Sequence, residues 1–402
     1  MLRPGALLFL LVCCGDVSDP AEDGNPDGCD RDADGYDGAA CGGPDCNDLD
    51  SAINPAALEA EQWDVEVVTE GTITSVAVTV GTDDVVHALY GYVEDSVDKL
   101  GHAYTEGDTW ATEVINDVQN VGGYATVVMD ADGALHSAVH NASTRELQHV
   151  TNARGAWTTE VVDTTLGAGV QPSIAVGADG TLHISSFVDA TLDLRYAVGD
   201  AGGWSTETVT DVDESGRYSV VFATASGPEI AYLQTVAGVS SLLYGRPEGA
   251  TWDSEVVFPG SAIASPGHAL SGQLDAEGAV QIAYWDPLAQ DVSHVTNASG
   301  AWSWQRIDRG AFPSLVVDAE RRIHVSYYDG PTHAVRYAVL AEGSWTIDTV
   351  EDSENTGQKS ALAVDENGVH VILYQSAGLG VLQHAFLSHK DGIDDDCDGE
   401  EW

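Results

Sequence analysis

Positive charge is scarce in this chain. Against 65 aspartates and glutamates there are 15 lysines and arginines, a formal net charge of −50. That balance excludes the basic patch through which nucleic acids and anionic lipid surfaces are bound, so neither is an expected partner. It keeps a protein soluble and suits a cation-rich setting outside the cell. Long apolar runs are missing too: no stretch reaches the roughly 20 residues that span a bilayer. Catalytic signatures are equally absent, with no G-x-S-x-G, no H-E-x-x-H and no P-loop. On those grounds the chain is not expected to be an enzyme. What it does have is apolar content, 43% of residues, which is enough to bury a sizeable core.

The N-terminus, "MLRPGALLFLLVCCGD", carries Arg3, an apolar run from Ala6 to Val12, and a cysteine pair. Residues 1–14 read as a secretory signal and 15–28 as a linker. "LVCC" resembles a bacterial lipobox with Cys14 as the lipidated residue, although Cys13 stands where the motif has Gly, Ala or Ser. A plain cleaved signal is the alternative. The expected location is therefore the bacterial cell envelope or the extracellular space, with membrane contact only through that lipid. Either cut leaves Cys29, Cys41, Cys46 and Cys397, an even set in an oxidising compartment, and three pairings are open to it.

Tryptophan recurs in like contexts: "WDVEVV" at Trp63, then Trp110, Trp157, Trp204, Trp252, Trp302 and Trp345, with spacings of 47, 47, 47, 48, 50 and 43. A period of this size marks a repeat architecture, and β-propeller blades fall in that range. Each unit divides into four short stretches of alternating, β-branched-rich sequence between turn residues, as in "WTTEVVD", "QPSIAVGADG", "TLHISSFVD" and "LDLRYAVGDAGG". One such sheet cannot bury both faces, whereas seven stacked in a ring can. The expected fold is all-β, a seven-bladed β-propeller over residues 62–389. The chain enters on a Trp strand and leaves after "LQHA". If the Trp strand is outermost, the last blade takes three strands from the C-terminus and its fourth from the N-terminus.

The units resemble the tandem "PSLALD…G…HISYYD…LRYA…W" repeats of secreted bacterial propeller proteins, through "QPSIAVGADGTLHISSF" and "FPSLVVDAERRIHVSYYD". The resemblance implies the fold and no particular activity. WD40 and kelch readings fail, for want of a terminal Trp-Asp in register and of a di-glycine pattern.

The two ends carry matching acidic loops. "CDRDADGYDG" has Asp30, Asp32 and Asp34 before Gly35, and "DDDCDG" has Asp394, Asp396 and Asp398 before Gly399. Alternate carboxylates in a tight loop can converge on one hard cation, and oxygen ligands favour Ca²⁺. No glutamate closes the loop at the twelfth position, so Asp37, Asp45, Asp48 and Asp50 are the candidates to complete the set. Residues 29–61 and 390–402 resemble the metal-binding motif of MopE-like bacterial surface proteins, here split by the whole propeller. That resemblance implies Ca²⁺ as cofactor and a small loop-rich module made by both termini. Lys390 replaces one customary cysteine, and the pairing then expected is Cys41 with Cys46 and Cys29 with Cys397.

Other residues are weighed one by one. Histidine recurs at one strand position (His87, His136, His183, His324, His370, with Glu229 and Gln281 in the same slot). A second series runs through His102, His149, Tyr196, Tyr244, His294, Tyr337 and His384. Repetition in nearly every unit argues packing and hydrogen bonding rather than a metal ring. "MDADGALH" reads as a hairpin turn, and the seven repeated tryptophans as core. Trp285, Asp286, Trp304, Tyr327, Tyr328 and Asp329 are not explained by the repeat, and they are the candidate ligand site. Aromatic faces with nearby carboxylates suit a sugar. The expected function is a non-catalytic surface or secreted binding propeller for a glycan or cell-surface protein. The alternative is a carbohydrate-active enzyme, a glycosidase using paired carboxylates or a lyase. The arginine cluster and the S-x-D-x-G-x-x-W boxes of sialidases are missing.

Overall fold

The structure, a computed structural model, describes residues 62–388 apart from 82, 108, 122, 201–202, 259–269, 287, 342, 353–355 and 365–369. It is a seven-bladed β-propeller, with seven four-stranded antiparallel sheets. Blade one runs from Thr72 to Gln119, blade two from Val128 to Asp163, blade three from Val170 to Thr210 and blade four from Glu214 to Phe258. Blade five runs from Leu270 to Arg309 and blade six from Ala311 to Glu351. Blade seven takes Thr356–Val364, His370–Ser376 and Val381–Ser388 from the C-terminal side, and its outermost strand is Gln62–Glu70. The first sheet strand of the chain is thus hydrogen-bonded to the last, the closure that the phase of the Trp repeat predicts.

The core consists of seven layers, one at each boundary between blades. Ile174, Ile184 and Val188 of blade three meet Ala138, Leu147 and Val162 of blade two. At the closing boundary Tyr90 and Ala103 of blade one meet Leu373 and Leu382 of blade seven. Middle strands are buried on both faces, which is why "VQIAYWD" reads as a nearly continuous apolar run. Outermost strands bury little: "GWSTETVT" at Gly203–Thr210 is mostly exposed.

Serine hydroxyls tie the first strands of neighbouring blades together. The Oγ atoms of Ser173, Ser271 and Ser314 accept from the backbone N–H groups of Val221, Leu315 and Leu362 in the next blade, at 3.2, 2.9 and 3.1 Å. For Ser173 and Ser314 this is the physical content of the Pro-Ser dipeptide, and Ser271 makes the same bond after a leucine. Entry into a first strand needs close approach: Gly216, with φ of +99°, lies so near Leu194 that a Cβ would stand 2.6 Å from its side chain. Only glycine fits both the conformation and the space. Two residues on, Tyr218 takes a left-handed φ of 51°. Gln171 (51°) and Phe312 (56°) repeat that kink on the first strands of blades three and six.

Candidate functional site

The repeated polar residues form one lattice. The indole Nε1 of Trp110, Trp157, Trp204, Trp252 and Trp302 donates to Glu66, Glu113, Glu160, Glu207 and Glu255 of the preceding blade, at 2.7 to 3.2 Å. Those glutamates stand three residues after the previous tryptophan, so W-x-x-E is the coupling unit. Each indole edge also meets the second-series ring of the preceding blade. Trp204 reaches His149 at 5.3 Å and 62°, and Trp63 reaches Tyr337 at 5.2 Å and 66°. The two polar series pair within a blade: His136 with His149 at 2.9 Å, His183 with Tyr196 at 2.6 Å, Gln281 with His294 at 2.8 Å and His324 with Tyr337 at 2.6 Å. In blade two the chain of bonds runs unbroken from Asp130 through His136, His149 and Glu160 to Trp204.

Burial pushes the imidazoles of His87 and His294 down to about 4, and those of His102, His149, His183 and His324 in the same direction. Burial works against ionisation of Glu113 and Glu160, but the indole and imidazole donors outweigh it and hold both below the ordinary carboxylate range. These histidines are neutral partners in a structural network. Among the described residues no group of three or more His, Cys, Asp or Glu is placed to hold a metal. Asp130 caps its own hairpin, accepting from the Asp132 and Ala134 N–H groups. The repeated tryptophans differ from the expectation in one respect: they are half-buried at blade boundaries rather than in a core, where five of the seven reach a glutamate on the outermost strand of the preceding blade.

A different arrangement appears between blades five and six, on the ring face where first strands begin and second strands end. A cavity of about 370 Å³ is walled by Trp285, Phe312 and Tyr328, with Arg309 and Gln290 at its polar side. Trp285 and Phe312 have centroids 5.0 Å apart at 54°, and Phe312 and Tyr328 are 6.4 Å apart at 33°. The Tyr328 hydroxyl is hydrogen-bonded to His333 Nδ1 at 2.8 Å, and Arg309 Nη2 donates to Gln290 Oε1 at 3.2 Å. Trp285 Nε1 is buried with no partner. Gly310 lines the same cavity and is backed by the Tyr327 ring, 2.4 Å from where a Cβ would stand, so no side chain can fill the space from there.

The structure brings Trp285 and Tyr328 together and leaves the other candidates outside the cavity wall. Tyr327 is fully buried and donates to Asp308 at 2.9 Å; burial pushes its phenol up. Asp286 caps the loop after it, accepting from the Leu288 and Ala289 N–H groups. Asp329 accepts from Thr332 Oγ1 at 2.7 Å. Trp304 is 58% exposed on the outermost strand, against Phe258. Sequence reasoning missed Arg309, Gln290 and Phe312. The available signal was Phe312 before Pro-Ser, where blade three has Gln171. The predicted metal ligands Asp30, Asp32, Asp34, Asp37, Asp45, Asp48, Asp50, Asp394, Asp396 and Asp398 lie outside the described residues. So do Cys14, Cys29, Cys41, Cys46 and Cys397.

No protein-family model matches this sequence, and no curated protein matches it. Solved structures share its fold. A protein of unknown function from Dyadobacter fermentans is 11% identical, with a TM-score of 0.52 over 82% of this chain and 100% of that one. The polysaccharide lyase Uly1 is 12% identical, with a TM-score of 0.47 over 80% of this chain and 90% of that one. A NanB sialidase from Streptococcus pneumoniae is 13% identical, with a TM-score of 0.43 over 83% and 71%. Likeness at this level is a likeness of fold. It also corrects the expectation that the chain is not an enzyme, because a lyase and sialidases stand among the proteins that share the ring. The missing motifs spoke only against the chemistries those motifs serve.

Proposed function

We propose that this is an exported propeller that takes a saccharide on the ring face between blades five and six. One observation carries the reading: three aromatic rings from two blades converge on a single open cavity beside an arginine that, among the described residues, pairs with no carboxylate. Trp285 and Tyr328 offer rigid apolar faces that match the C–H faces of a pyranose. Arg309 and Gln290 supply donors and an acceptor for its hydroxyls. A glycan array probed with wild type, Trp285→Ala and Tyr328→Ala tests it, and the bound saccharides are then assayed for cleavage by the same wild-type sample. Each truncation is expected to weaken binding about tenfold, the equivalent of one lost stacking contact. Equal binding by all three proteins, or no glycan bound by wild type, overturns the assignment.

The acidic ends belong to the same proposal. Their carboxylates and cysteines form a Ca²⁺-binding module that braces the closure of the ring, outside the cell or on its envelope. Support comes from the D-x-D-x-D-G spacing at both ends, and from Gln62–Glu70 and Val381–Ser388 being hydrogen-bonded neighbours. Calorimetry with Ca²⁺ on wild type and Asp394→Ala decides this: the variant is expected to lose affinity, and equal affinity removes the C-terminal loop from the ligand set.

A further inference from the structure

An axial channel passes through the ring, walled by the first strand of every blade. It comprises a cavity of about 280 Å³ toward the face where first strands begin and one of about 570 Å³ toward the other face. In a chain with 65 acidic residues, no described aspartate or glutamate lines either cavity, and none lines the aromatic pocket between blades five and six. Among the described residues, the two charged groups that line them are both positive. Lys359 stands at the channel mouth among Gln171, Tyr218, Ser219 and Ser360, and Arg309 stands in the aromatic pocket.

Among the described residues these two cations and the exposed Arg154 are the ones with no carboxylate within 4 Å, and only these two line a cavity. Among the described residues, Lys99, Arg145, Arg195, Arg217, Arg246, Arg306, Arg321, Arg322 and Arg336 each sit within 4 Å of a carboxylate. Arg309 bonds a neutral amide. Lys359 is half-buried on the strand Thr356–Val364, and burial alone pulls its ammonium down, with no counter-charge acting on it. An amine desolvated without a partner is destabilising, and that is readily understood where an arriving anion completes it. The two cavities adjoin: Phe312 walls the pocket and the next residue, Pro313, walls the channel mouth. Blade six, which carries both, is the neighbour of blade seven, which carries Lys359.

We propose that the mouth of the axial channel is an anion site in which the Lys359 ammonium holds a carboxylate. With Arg309 next door, the site selects a uronate-bearing saccharide over a neutral one. A single ammonium ringed by serine and amide groups fits a carboxylate, and the acid-free walls spare it the repulsion that the rest of this surface would impose. This inference rests on the saccharide reading above, and its test keeps the two apart.

The experiment is a titration of wild type, Lys359→Met and Lys359→Arg with oligosaccharides of equal length that are neutral, uronate-containing or sulfated, and with free glucuronate. Wild type is expected to bind the uronate series at least tenfold more tightly than the neutral one, and to lose that margin as salt rises. Lys359→Met is expected to bring the ratio close to one, Lys359→Arg to keep part of it, and Lys359→Met to unfold at or above the wild-type temperature, since it removes an unpaired half-buried charge. Equal affinity for neutral and uronate oligosaccharides, or a preference that survives in Lys359→Met, overturns the anion site and leaves the saccharide reading standing. Preference for the sulfated series overturns the carboxylate assignment. Binding of free glucuronate with no oligosaccharide bound supports the anion site and overturns the saccharide reading. No binding by any of them overturns both.

Discussion

The boundary between blades two and three and the boundary between blades five and six are built on one plan and finished differently. At the first, Trp204 donates to Glu160 at 2.9 Å, Glu160 meets His149 at 3.0 Å, and the chain continues through His136 to Asp130. At the second, Trp345 still sets its edge against His294, at 5.8 Å and 75°, and His294 still meets Gln281. Yet Gln305 occupies the glutamate slot, and Trp345 Nε1 is buried without an acceptor. A second orphaned indole, Trp285, lies at the same boundary. The aromatic cavity opens there too. Local rules of stability are kept at the first boundary and relaxed at the one where the saccharide site is proposed.

The contrast can be broken most severely by acid. His87 and His294 titrate near 4 in the fold and about 6.5 when unfolded, so the unfolded chain binds protons first as pH falls. Their contribution is complete above 6.5 and is lost between 6.5 and 4, on the order of 3 kcal/mol for His294. Blade four, whose paired slots hold Glu229 and Tyr244, has no imidazole there to charge. Hydrogen exchange at pH 5 is expected to show blades one and five opening before blade four. Uniform exchange across the ring contradicts this.

Replacing the indole by a phenyl ring removes the N–H along with part of the ring, and it separates the two boundaries. Trp204→Phe is expected to destabilise by about 1–2 kcal/mol in urea titrations, because a charge-assisted bond is lost. Trp345→Phe carries no such loss, so the difference between the two variants isolates the bond. The smallest effect sharpens the comparison from the other side. Gln305→Glu restores the W-x-x-E acceptor beneath Trp345 and is expected to stabilise by about 1 kcal/mol, a rise of a few degrees in melting temperature. An unchanged melting temperature shows that the slot is not an acceptor for Trp345.

Much of the scaffold was legible because it repeats. Seven tryptophans at nearly equal spacing gave blade number and phase, and the phase gave the closing strand. The structural role of the histidine series followed from its recurrence. The partners did not, since Trp204 and Glu160 are 44 residues apart and meet only when two blades stack. The site was half legible. Trp285 and Tyr328 stand four residues after Gln281 and His324, in one repeated slot whose occupant varies from blade to blade, so the position is regular and only the residues are not. Tyr327 looked equivalent to its neighbour, but strand alternation turns it into the core beside Asp308. Lys359 and Arg309 drew no notice, because a lone cation has no pattern. Their meaning appears only when the described walls of three cavities prove free of carboxylate.

Nitrogen-15 spectra of the tryptophan indoles, recorded while the saccharide that binds on the array is titrated in, test the central claim most directly. The account predicts that the Trp285 indole signal moves with saturation, while those of Trp110, Trp157, Trp204, Trp252 and Trp302, held by glutamate, stay in place. Movement of the glutamate-bound indoles with Trp285 unchanged would contradict it.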